Sequence, residues 1–213
     1  MVFYRRKTME NSQTVQNYIN KKGTYYVFRT LLYPVALTFR PTIYGKENIP
    51  ETGGVIIASN HRNRADPGFA CMSTRRVVHF LAKKELHDSR FAWFFRMAGT
   101  IPVDRGVHGT GVMETAEEML RRGEVIGIYP EGTRNKTADP IQPLKYGAVR
   151  LAQKTGTPIV PLAISGIGKP FTSQVKVCFG KPYHVARDAD LDQENEKLRR
   201  KLTELYLNGK EEE

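Results

Sequence analysis

Short apolar, β-branched runs separated by amphipathic stretches most restrict what this chain can fold into. From Thr42 onward, the runs over 54–59, 77–82, 100–103, 125–129, 159–164 and 175–179 have the length and composition of strands. Helical patterns lie between them. The segment 111–122 places Met113, Ala116, Met119 and Leu120 on one face, with Thr110 as candidate N-cap and Gly123 as its stop. A second helix over 145–155 ends at Gly156, and a third over 190–207 carries Leu191, Leu198, Leu202 and Leu205 along an apolar stripe. The segment 84–98 reads as a further helix whose Phe91, Trp93, Phe94, Phe95 and Met97 suit a core, with the wall of an acyl-chain site as the alternative. Such alternation implies an α/β fold with a mixed, largely parallel sheet flanked by helices. Pro161 lacks the amide a central strand donates, so the run around it predicts an edge strand or a bulge.

The 213 residues supply one such domain, expected over 42–213, preceded by an N-terminal helical segment over 1–41. Arg5, Arg6 and Lys7 are not followed by the apolar stretch of a secretory signal. The segment 24–39 is apolar but holds Arg29 and Pro34, and it falls short of the roughly 20 residues that span a bilayer. Two readings fit it. Tyr25, Tyr26, Phe28, Leu31, Leu32 and Tyr33, flanked by Lys21, Lys22, Arg29 and Arg40, suit a helix lying in a membrane interface; the same pattern suits a helix packed on its own domain. A formal charge of +11 favours anionic partners, acidic lipid included, but no zinc-finger or RNA-binding signature accompanies it, so nucleic acid is not expected. Cys71 and Cys178 form no C-x-x-C pair and lie in apolar runs, as buried thiols of a reducing, cytoplasmic compartment do.

Chemistry-bearing residues gather where the strands end. In NHRNRADP, His61 and Asp66 are five positions apart, a rotation of about 140° on a regular helix, so the two meet only across a turn. Asp66 followed by Pro67 is also a good helix start, and a plain N-cap is the simpler reading. The functional reading makes Asp66 the orienter of His61 and His61 a general base. In VIGIYPEGTRNK a strand runs into Glu131, Gly132, Thr133 and Arg134, where glycine admits close backbone approach and the guanidinium fork suits phosphate or carboxylate. GTIPVDRG ends another strand with Asp104 and Arg105, and TPIVPLAISG is a fourth such stretch. No G-x-x-x-x-G-K-[ST], G-x-G-x-x-G or G-x-S-x-G occurs, and His79, His87, His108 and His184 make no metal-ligand spacing with the cysteines.

Taken together and in this order, NH-x4-D, GTIPVDR, YPEGTRN and VPLAI make the chain resemble the PlsC-like glycerolipid acyltransferases, specifically bacterial 1-acyl-sn-glycerol-3-phosphate acyltransferases, over roughly 43–183. The resemblance implies transfer of an acyl group from acyl carrier protein or CoA thioester to the sn-2 hydroxyl of lysophosphatidic acid, giving phosphatidic acid. It requires no cofactor beyond the donor and no metal. It implies that His61 is the base and Asp66 its orienter. Lys83 of LAKKEL, Arg105, Glu131, Gly132, Thr133 and Arg134 are implied to hold the glycerol phosphate, on an enzyme sitting peripherally or monotopically at the cytoplasmic face of the membrane. Asn63, Tyr129 and Asn135 depart from the Ser, Phe and Ser of many members, and Arg62 with Arg64 makes the first block unusually basic. These departures keep two alternatives open: another acceptor, such as glycerol-3-phosphate, and a non-catalytic basic module that binds acidic membranes or nucleic acid.

Overall fold

A seven-stranded sheet organises the computed structural model, which describes residues 15–17, 22–104 and 111–209. The strands are β1 (Thr42–Tyr44), β2 (Val55–Ser59), β3 (Val78–Lys83), β4 (Ile101–Val103), β5 (Val125–Ile128), β6 (Ile159–Ser165) and β7 (Lys176–Phe179), in the spatial order β1-β7-β6-β2-β5-β3-β4. All neighbouring pairs are parallel except β6 with β7. The helices are α1 (Lys22–Leu37), α2 (Asp66–Met72), α3 (Lys84–His87), α4 (Ala92–Met97), α5 (Gly111–Arg121), α6 (Gly147–Thr155) and α7 (Leu191–Asn208). The mixed, largely parallel α/β architecture expected from the sequence is the observed one.

Strand pleating divides the core in two. Along β2, Ile56 and Ala58 join one buried cluster with Met119, Leu120, Leu151, Leu198 and Leu202 of α5, α6 and α7. Val55 and Ile57 point the other way, into a cluster with Phe69 and Ala70 of α2 and Phe80 of β3. Each side chain of this size stabilises the fold by about 1.5–3 kcal/mol when buried, so β2, buried at every position, is the centre of the fold and a rigid base for whatever follows it. At the start of α7, Asp190 accepts the Gln193 amide at 2.9 Å as an N-cap.

The structure changes several details. The strand β1 is too short for a periodic signal and pairs with β7 through the sheet edge. The segment 84–98 is two short helices rather than one: the Ser89 hydroxyl donates to Leu86 O and accepts the Phe91 amide, competing with helical bonding, while the buried His87 turns to the Thr100 hydroxyl at 2.9 Å. Phe94 packs edge-on against Phe28, but Phe91 and Trp93 face outward. Pro161 lies in an interior strand, not an edge. Between the pairs Ile159–Tyr183 and Leu162–Phe179 the partner segment has one more residue than β6, and this bulge is where the missing amide is tolerated. α1 buries Tyr25 and Phe28 against the domain while Val27, Leu31 and Val35 stay exposed along one stripe. Among the described residues no helix is long and apolar enough to cross a membrane.

Candidate active site

Because β2 and β5 are adjacent and parallel, the NHRNRADP and YPEGTRN segments leave the same edge of the sheet side by side. The chain after β2 curls so that His61 Nδ1 lies 2.9 Å from Asp66 Oδ2. That oxygen also accepts the backbone amides of Arg62 and Asn63, each at 2.8 Å. Asp66 therefore does not cap its own helix; the cap residue is Ala65, without a side-chain bond, and the carboxylate faces backwards into the turn. With Nδ1 donating to this buried carboxylate, Nε2 carries the lone pair, which is the tautomer a general base needs.

Three further constraints fix the imidazole. Glu131 Oε1 accepts the His61 amide at 2.8 Å, and its Oε2 accepts the Gln142 amide at 3.0 Å. Burial holds the Glu131 carboxyl above its ordinary range, and the two backbone donors offset only part of that rise. The His61 carbonyl accepts the Asn135 amide at 2.6 Å, tying the two segments a second time. The imidazole stacks on the Tyr129 ring, centroids 4.1 Å apart at 20°, and Tyr129 stacks in turn on Phe80 at 5.0 Å. Gly127 makes that column possible, since a Cβ there would sit 2.5 Å from the Phe80 ring. Burial pushes the Tyr129 phenol well above its ordinary pKa, and the nearby Asp66 charge adds to the effect. Asn60 is fully buried and exchanges two bonds with the Ile164 backbone, at 3.0 and 2.8 Å, locking the end of β2 to β6.

The departures at Arg62, Asn63 and Asn135 are structural. Asn63 Oδ1 accepts the Ala65 amide, closing the turn. Asn135, buried, donates to Asp139 O and accepts the Thr137 amide, while Arg62 donates to Asp139 O and Thr137 O.

The residues implied to hold phosphate behave differently from one another. The structure gives Glu131 another task, since backbone amides occupy both its oxygens. Gly132 adopts φ +72°, which brings its backbone against the Lys145 side chain; a Cβ would lie 2.8 Å from Lys145 Cε. Thr133 is exposed, Arg134 is half-buried, and neither side chain has a hydrogen bond or ion pair among the described residues. Lys83 ends β3 at the same sheet edge, exposed and likewise unpaired, whereas Lys84 lies 3.6 Å from Asp104. Arg105 lies outside the described residues. Sequence reasoning missed the support from Tyr129, the Asn60 clamp and Lys145. The only sequence signal for Lys145 was a lysine just before a helix start, which specifies nothing alone. Among the described residues no three His, Cys, Asp or Glu side chains cluster as a metal site would need.

The Acyltransferase family profile matches residues 40–165. A 1-acyl-sn-glycerol-3-phosphate acyltransferase of Bacillus subtilis is 36% identical over 157 residues, 70% of this chain and 76% of that protein. One of Borreliella burgdorferi is 34% identical over 62% of this chain and 54% of its own length. The crystal structure of the PlsC acyltransferase from Thermotoga maritima superposes with a TM-score of 0.67 at 20% identity, covering 95% of this chain and 86% of that one, and so shares the fold. By the extent of the profile match and the identity to the B. subtilis protein, the chain belongs to the acyltransferase family.

Proposed function

We propose that the chain transfers an acyl group from a thioester of acyl carrier protein or CoA to the sn-2 hydroxyl of lysophosphatidic acid, giving phosphatidic acid. The observation that carries this reading is the 2.9 Å contact between His61 Nδ1 and Asp66, which leaves Nε2 as a proton acceptor at the end of a rigid strand. The acceptor hydroxyl oxygen forms a bond to the thioester carbonyl carbon as its proton passes to Nε2. Asp66 stabilises the resulting imidazolium. The C–S bond then breaks, and the departing thiolate takes the proton from His61, so the enzyme returns to its starting state with no covalent intermediate. General base catalysis contributes about 10² to 10⁴ in rate, and positioning of the two substrates contributes more.

Lys83, Thr133 and Arg134, with Lys145 over Gly132 and Arg105, supply the cationic and hydroxyl contacts for the glycerol phosphate. The unpaired state of Arg134, half-buried at the site, supports this assignment. The acceptor is a lipid, and the exposed stripe of α1, together with the net charge of +11, supports peripheral or monotopic association of the N-terminal segment 1–41 with anionic lipid at the cytoplasmic face.

Release of free thiol from acyl-CoA and from acyl carrier protein thioester, with and without lysophosphatidic acid, tests the reading. Release dependent on acceptor, lost in a folded His61→Ala variant, is the expected result. Full release by that variant would overturn the mechanism. Arg134→Ala is expected to raise the acceptor KM with a smaller effect on kcat.

A further inference from the structure

The connection between β6 and β7 carries Phe171, which at 74% is the most exposed large hydrophobic side chain among the described residues. It is not held out by looseness. The Phe171 amide donates to Thr38 O, the Val175 amide to Phe39 O, and the buried Ser173 hydroxyl bridges Lys169 O and the Gly168 amide. Phe171 adopts φ +67° and Arg40 φ +49°, the two non-glycine residues in the left-handed region among those described, and both lie at this junction. A built loop with two strained positions that displays an aromatic ring to solvent calls for a partner.

Topology says where the ring is. β6 ends beside the start of β7 through the pair Ser165–Lys176, and β6 is parallel to β2, so this connection leaves the edge of the sheet that carries His61. The bond to Thr38 continues the exposed stripe Val27, Leu31 and Val35 of α1 onto Phe171. Four cations at this edge, Arg40, Arg64, Lys169 and Lys176, are exposed and make no side-chain ion pair among the described residues. An apolar stripe ending in a strained aromatic and surrounded by unpaired cations matches the layering of an anionic bilayer, with headgroups outside and acyl chains beneath.

We infer that the Lys169–Phe171 turn is a second membrane contact, tied to the end of the N-terminal segment but contributed by the α/β domain, which inserts Phe171 into the interface of an anionic bilayer and sets the His61 edge against the lipid. This rests on the lipid-acceptor reading above, and it turns simple attachment into a defined orientation: two contacts at one sheet edge fix the angle of approach that a single helix leaves free.

The test uses the full chain. Trp93 is the sole tryptophan, so Trp93→Phe combined with Phe171→Trp places one fluorophore at the turn. Vesicles of phosphatidylglycerol and phosphatidylcholine with brominated acyl chains are expected to quench it, and Phe171→Ser is expected to weaken binding to unbrominated vesicles roughly tenfold or more. Turnover of a water-soluble short-chain lysophosphatidate by Phe171→Ser should equal that of the unaltered chain, whereas turnover of the vesicle-embedded acceptor should fall. Unquenched fluorescence on vesicles that still bind the protein would overturn the inference, as would lipid-free self-association that Phe171→Ser abolishes, which would assign the turn to a second copy. Absence of turnover with the short-chain acceptor would instead sink the proposed reaction, because quenching and vesicle binding need no chemistry.

Discussion

Replacing Glu131 by Gln separates two tasks for this residue, holding the backbone or holding substrate. In the native protein each carboxylate oxygen accepts one backbone amide, His61 N at 2.8 Å and Gln142 N at 3.0 Å. A glutamine keeps one acceptor and presents its NH2 to the second amide, so one buried donor loses its partner and faces another donor. Hydrogen bonds to a charged group contribute about 1.5–3 kcal/mol, and an unsatisfied buried group costs about 1–3 kcal/mol. Against this, the substitution removes a carboxylate whose burial is itself unfavourable. The net expectation is a loss of about 1–3 kcal/mol, which for a chain of this size lowers Tm by roughly 2–12 °C. Because the released amide is that of His61, the proposed base, kcat should fall about tenfold or more while the acceptor KM changes little. Thermal unfolding by circular dichroism and steady-state kinetics well below Tm make the check. An unchanged Tm together with a raised acceptor KM would refute this reasoning and return Glu131 to the phosphate site.

Other expectations follow from the same contacts. Asn60→Ala strips both partners from the Ile164 backbone inside the core and should cost about 2–4 kcal/mol, read as a lower urea midpoint. Gly127→Ala drives a methyl into the Phe80 ring and should lower kcat through the Phe80–Tyr129–His61 column, with a stability loss from overpacking of about 1–3 kcal/mol read as a lower Tm. Stability should decline as pH falls below 6.5. Burial holds the His79 and His87 imidazoles below that ordinary value, so between their folded pKa values and 6.5 the unfolded chain binds more protons than the folded one, and acid favours unfolding. Urea midpoints measured from pH 7.5 to 5.5 check the sign, and His79→Gln should flatten the profile.

The sheet and the ends of its strands were legible because burial on both faces leaves continuous β-branched runs, as in VIIAS and VIGI. Parallel neighbours then force the loops after β2 and β5 to one edge, so His61 and Asp66 could be singled out before any coordinates. The strand β1 could not be, since three residues carry no period, and the break after His87 depends on a Ser89 hydroxyl whose choice between solvent and backbone is local geometry. The Asp66 carboxylate was readable as a helix cap because Asp-Pro begins many helices; only the turn of 61–65 shows that it faces backwards. Glu131 and Asn60 were legible as polar residues at strand ends, but their partners are backbone groups, which leave no trace in residue identity. Lys145 meets Gly132 only through the path of the intervening chain.

The bonds that hold His61 in place span long stretches of chain: the one from Glu131 bridges 70 residues, and those from Asn60 bridge 104. Bonds of such separation form only after the loop entropy between their ends has been spent, and parallel sheets are slow to assemble for that reason. Local helices such as α7 can arise early, and the Asp66 bonds to residues 61–63 are local as well, but the ties of the His61 turn to β6 and to the segment after β5 are not. Its anchoring is complete only when β5 and β6 have closed on β2. A molecule with its helices formed but its sheet open therefore lacks the fixed His61 imidazole, and under the proposed mechanism acyl transfer waits for a complete central sheet.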